Sequence, residues 1–123
     1  MKILVVEDDA IMLKTIELRL KKDGYDVITS EDGRDGLKKF EELAPDLIIT
    51  DIMMPFLSGL EIVGAVKKWE GKETPIIVLS TLGQENVVLE AFRLGADDFI
   101  TKPFSPKELS MRVKRYSLNS ESI

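Results

Sequence analysis

Three unbroken apolar runs constrain this chain most: Ile3-Leu4-Val5-Val6, Leu47-Ile48-Ile49-Thr50 and Ile76-Ile77-Val78-Leu79. None alternates polar with apolar residues, so none can keep one face in water. Each reads as a strand buried on both faces, the situation found inside parallel sheets. Parallel neighbours need a crossover between them, and helical patterns follow every strand. Asp9 caps a helix carrying Leu13, Ile16 and Leu20, with Lys21 and Lys22 in its last turn and Gly24 as its stop. Tyr25 to Ser30 mixes polar and β-branched residues as an edge strand does. Asp32-Gly33 opens a second helix with Leu37, Phe40 and Leu43 turned inward, halted by Pro45.

Ser58 with Glu61 three residues later is a capping box for a third helix bearing Leu60, Val63 and Val66. A fourth helix, from about Gln84 to Leu94, turns Val88, Ala91 and Phe92 inward and ends at Gly95. Phe99-Ile100-Thr101 is a short fifth strand, and Ser105-Pro106-Lys107-Glu108 caps a fifth helix carrying Leu109, Val113 and Tyr116. Five strands alternating with five helices predict an α/β domain: a doubly wound parallel sheet with right-handed crossovers in the order 2-1-3-4-5. The domain takes residues 1–117, and 118–123 reads as a polar tail or the start of a linker.

Composition narrows the chemistry. The chain of 123 residues has no cysteine and no histidine, which leaves no thiolate site and no imidazole base. Any metal must then sit on carboxylates, which favours hard cations such as Mg²⁺. A net charge of −5 argues against this domain gripping a nucleic-acid backbone. The apolar run after Met1-Lys2 is too short for a signal peptide or membrane span, so a cytoplasmic location is expected.

Parallel strands end on one rim, and in open α/β sheets ligands bind there. The first strand delivers Glu7 and Asp8 to that rim, the third Asp51, the fourth Ser80 and the fifth Lys102. Singly, each has an ordinary explanation: an acid after a strand is commonly a turn residue or helix cap, and a lysine is commonly solvated. Together they form what phosphoryl transfer to an aspartate requires. Asp51 is the nucleophile, Mg²⁺ and Lys102 neutralise the transferring oxygens, and Ser80 offers a hydrogen bond.

The acidic pair after the first strand, Asp51-x-x-Met54-Pro55-x-x-x-Gly59, the strand-end Ser80 and Gly95-Ala96-Asp97-Asp98-Phe99-x-x-Lys102-Pro103-Phe104 resemble the receiver domain of two-component response regulators. The likeness covers nearly the whole chain and implies a flavodoxin-like fold and a signalling switch, not an enzyme. It implies a sensor histidine kinase as phosphodonor and Asp51 as phosphoacceptor. Asp8, Asp51 and the backbone carbonyl of Met53 would bind Mg²⁺, and Glu7 would hold a metal-bound water. Ser80 and Phe99 would move together on phosphorylation, and Lys102-Pro103 would be cis. Glu7 stands where aspartate is more frequent, and Thr81 where alanine or glycine usually lies.

Three other readings fit less well. A Mg²⁺-dependent hydrolase with an aspartate nucleophile usually has an Asp-x-Asp pair, which Asp51-Ile52-Met53 lacks. A flavin module needs a hydroxyl- and glycine-rich phosphate loop where Glu7-Asp8-Asp9 stands, and an interaction-only receiver usually has a broken acidic or lysine position. The last third resembles receivers of winged-helix transcription regulators. That likeness implies a symmetric homodimer through the fourth helix, fifth strand and fifth helix, with Asp97, Asp98, Glu108, Arg112 and Lys114 supplying charge, and a separate DNA-binding domain after Ile123. Val88 stands where that class usually has a basic residue. Met53 and Leu82, two residues after Asp51 and Ser80, are both apolar and predict slow loss of the phosphoryl group.

Overall fold

The computed structural model describes the backbone of residues 1–121 and the side chains of residues 1–118. Five strands, β1 (Lys2–Val6), β2 (Asp26–Ser30), β3 (Leu47–Asp51), β4 (Ile76–Ser80) and β5 (Asp98–Thr101), alternate with five helices. These are α1 (Ala10–Lys22), α2 (Gly33–Leu43), α3 (Gly59–Lys68), α4 (Glu85–Leu94) and α5 (Pro106–Glu121). The strands make one parallel sheet in the expected order, β2-β1-β3-β4-β5. Every residue of β3 and β4 is buried, as their unbroken apolar runs require. Successive side chains go to opposite faces. Ile3, Val5, Ile49 and Leu79 pack with the inner stripes of α1 and α5, while Leu4, Val6, Ile48 and Val78 pack with those of α2, α3 and α4.

Register sets up the rim. Val6 lies opposite Thr50, so the next residues, Glu7 and Asp51, leave the sheet side by side. Ser80 lies opposite Thr101, which sends Lys102 out beside it. The start of α3 is pressed against the end of β3: a Cβ at Gly59 would sit 2.3 Å from the Asp51 carbonyl oxygen, and the Gly59 N–H donates to the Ile52 carbonyl at 3.0 Å. Ser58 and Glu61 close the capping box that fixes this entry.

The helix faces depart from the periodic reading in three places. Leu43 is exposed, because α2 ends there and the chain turns through a left-handed Ala44. Phe92 is also exposed, since the buried residues of α4 are Val88 and Ala91. The third departure is at the C-terminal end, where α5 runs on to Glu121 through residues read as a polar tail. Ser117 continues the buried stripe of Leu109 and Val113 at four-residue spacing, and a serine in a core position conceals the period. The last two residues of that tail lie outside the described residues. Among the described residues no helix is long and apolar enough to cross a membrane.

Candidate functional site

Glu7, Asp8 and Asp51 each bring a carboxylate oxygen within 4.8 Å of the others. Glu7 is fully buried, Asp51 nearly so, and Asp8 is exposed. Lys102 enters from beyond β5; its Nζ is paired with Glu7 Oε1 and lies 3.3 Å from Asp51 Oδ2. The Lys102 N–H donates to the Ser80 carbonyl at 2.6 Å, which fixes the base of the lysine stem. The Lys102-Pro103 peptide bond is cis. Asp9 caps α1, accepting from the N–H groups of Ile11 and Met12, and its own N–H reaches Glu7 Oε2 at 3.4 Å.

The cluster thus holds three carboxylates, and the Lys102 ammonium pairs with two of them, Glu7 and Asp51. Burial pushes the Glu7 carboxyl up to about 7, the Lys102 hydrogen bond opposes this, and neighbouring Asp51 adds to it. Burial pulls the Lys102 ammonium down, but its bond to Glu7 and the field of Asp51 outweigh that and leave it above its ordinary value. Excess negative charge on an all-oxygen donor set is what a hard divalent cation relieves.

Ser80 is buried and opens onto a hollow of 310 Å³ lined also by Thr81, Leu82, Val88, Phe92 and Phe99. Phe99 is 37% exposed and meets Phe92 edge to face, with ring centres 6.0 Å apart. Met53 and Leu82, on the loops leaving β3 and β4, are both exposed. The structure therefore gathers Glu7, Asp8, Asp51 and Lys102 into one cluster and sets Ser80 and Phe99 on an adjoining hollow. Sequence spacing gives no hint of Phe56, an exposed aromatic with φ 68° on the loop after β3, or of Arg34, whose guanidinium lies 5.5 Å from its ring centre.

Residues 3–114 match the family described as response regulator receiver domain. The alkaline phosphatase synthesis transcriptional regulatory protein PhoP of Bacillus subtilis (strain 168) is 42% identical over 98% of this chain and 50% of its own length. The probable transcriptional regulator ycf27 of Guillardia theta is 42% identical over 92% of this chain and 44% of its own. The chain spans about half the length of these curated relatives. A response regulator receiver domain protein from Clostridium thermocellum superimposes with a TM-score of 0.90 at 31% identity, covering 98% of this chain and 96% of the other. The chemotaxis response regulator CheY4 of Vibrio cholerae gives 0.87 at 34% identity, covering 94% and 97%. With the family matched along almost its entire length and the fold shared with solved receivers, the chain belongs to the receiver domains of response regulators, the signalling modules of two-component systems.

Proposed function

We propose that this domain takes a phosphoryl group from a phosphorylated histidine of a sensor kinase onto Asp51, in a Mg²⁺-dependent reaction, and alters its α4-β5-α5 surface in response. The observation that carries this reading is the placement of Asp51 at the end of β3, 3.3 Å from the Lys102 ammonium and within a cluster of three carboxylates. Asp8, Asp51 and the backbone carbonyl of Met53 would hold the cation, with Glu7 behind them. When bound, Mg²⁺ neutralises charge on the transferring oxygens.

The chain's own groups do the rest. An Asp51 oxygen attacks phosphorus in line; the O–P bond forms as the P–N bond breaks, and the imidazole nitrogen keeps the electron pair. Lys102 then pairs with the phosphoryl oxygens, and the Ser80 hydroxyl donates to one of them. Movement of Ser80 vacates space beside the hollow, and its 310 Å³ gives the Phe99 ring somewhere to turn. Phe99 and Phe92 both lie on the α4-β5 surface, so their rearrangement changes what a partner meets there. Within one copy Arg112 already pairs with Asp98 at 2.8 Å and Glu108 at 3.8 Å. A symmetric dimer on this face exchanges such bonds for ones across the two-fold axis. A kinase-fed switch of this kind works in the cytoplasm, and the names of the longer relatives point to transcription as the output.

The test is intact mass after incubation with acetyl phosphate. Wild type should gain one phosphoryl group with Mg²⁺ and none with excess EDTA, and Asp51→Asn should gain none. Uptake by Asp51→Asn, or uptake that ignores Mg²⁺, would overturn the reading.

A further inference from the structure

We propose that Gln84 is a latch on the loop between β4 and α4: its side chain holds the Thr81 N–H, a donor that a phosphoryl group on Asp51 would take from it. The proposal rests on the reading of Asp51 given above. Main-chain groups alternate in direction along β4. The carbonyls of Ile76 and Ser80 turn to β5, accepting from the N–H groups of Asp97 at 2.9 Å and Lys102 at 2.6 Å. Those of Pro75 and Leu79 turn to β3, accepting from Ile48 and Ile52, each at 3.0 Å. Thr81 is next in that second series, so its N–H leaves the sheet on the side of β3, the strand that ends in Asp51. The Ile52 carbonyl, which would continue the ladder, accepts from the Gly59 N–H at 3.0 Å instead. Gln84 Oε1 takes the Thr81 N–H, at 2.7 Å.

Gln84 stands at the N-cap of α4, yet its side chain caps none of that helix's N–H groups. It turns back instead, and the Gln84 N–H reaches the Thr81 carbonyl at 3.3 Å, closing a ring over Leu82 and the left-handed Gly83. The helix start thus forgoes a side-chain cap to hold one loop amide. A phosphoryl group brings three acceptor oxygens, and Lys102 and Ser80 engage two of them in the reading above. The third is served by the Thr81 N–H, for which a charged oxygen outcompetes a neutral amide oxygen. Release of Gln84 frees the first turn of α4, whose Glu85, Val88 and Leu89 line the same hollow as Ser80 and Thr81. Phosphorylation so reaches α4 through the main chain as well as through Ser80 and Phe99.

Beryllofluoride bonds to a carboxylate oxygen as a phosphoryl group does. It is titrated calorimetrically, in MgCl₂, into the full chain as wild type, Gln84→Ala, Gln84→Glu and Asn86→Glu, with circular dichroism checking that each is folded. Gln84→Leu replaces Gln84→Ala if the latter does not fold. Without the latch, Gln84→Ala should bind about fivefold more tightly than wild type, the effect of one neutral hydrogen bond. Gln84→Glu holds the N–H through a charged acceptor and should bind about tenfold more weakly. Asn86→Glu adds the same charge outside the ring and should weaken binding much less. Urea unfolding adds a readout that a merely structural role would not move. Unmodified Gln84→Ala should be less stable than wild type, and the two should converge once beryllofluoride is bound. Equal or weaker binding by Gln84→Ala, or a stability gap that persists in the bound state, would overturn the latch alone. If Asp51→Asn still binds beryllofluoride, the reading of Asp51 fails and the latch fails with it.

Discussion

Glu7 is the residue whose burial has the widest consequences. Its carboxyl ordinarily titrates near 4.5 and here is pushed up to about 7, so the folded chain holds the proton more firmly than the unfolded chain does. The stability this contributes is complete below pH 4.5 and is lost as pH rises through 7. Urea unfolding in EDTA should therefore show wild type losing stability relative to Glu7→Gln across that interval, with Mg²⁺ restoring more of it at about pH 8 than at about pH 5.5. Parallel pH profiles for the two proteins would contradict this. Met53 and Leu82 set a second expectation at the same scale. Both are exposed beside the site, and neither can orient an attacking water by hydrogen bonding. Phosphorylated protein in Mg²⁺ buffer should decay over many minutes, and Met53→Asn/Leu82→Glu should decay faster. Rapid decay of wild type, or no acceleration in the double variant, would remove these residues from control of the lifetime.

Elements differ in how much of them can be read from the chain. The three inner strands are legible because a run buried on both faces needs no knowledge of its partners. Helix starts are legible where a side chain caps them, as at Asp9, Asp32 and Ser58. Inner faces are harder, since Leu43 and Phe92 keep the period yet stay exposed, while Ser117 is buried without being apolar. At the site, strand ends place Glu7, Asp8, Asp51 and Lys102 together because topology alone brings them to one rim. That Lys102 is seated on Glu7, or that Arg34 lies over Phe56, depends on side-chain reach and is not written in spacing. Two helix junctions allow direct tests. Ala44 ends α2 at φ 46°, a conformation that penalises a Cβ, so Ala44→Gly should stabilise the domain by about 1 kcal/mol in denaturant unfolding. Gly59→Ala should destabilise it by roughly 2 kcal/mol, because the added methyl meets the Asp51 carbonyl. No loss of stability in Gly59→Ala would show that the start of α3 is not wedged against β3.

The described residues form one sheet between two cores, and the carboxylate cluster lies at one end of it, where β1 and β3 run out. Under the proposed function, phosphorylation there would act on the α4-β5-α5 face through the hollow that Ser80 and Phe99 line. Because Asp97 is paired with Lys67 and Arg112 with Asp98 inside one copy, the unmodified domain should sediment as a monomer at micromolar concentration and the phosphorylated domain as a dimer. A phosphorylated monomer would leave the switch intact and remove the dimer from it. The most direct test of the central claim is to locate the modification itself. Protein phosphorylated by acetyl phosphate in Mg²⁺ is reduced with borohydride, which converts an aspartyl phosphate to homoserine, and its peptides are sequenced by mass spectrometry. Reduction should appear at residue 51 and nowhere else; reduction at Asp8, or at any site when residue 51 is asparagine, would contradict the assignment.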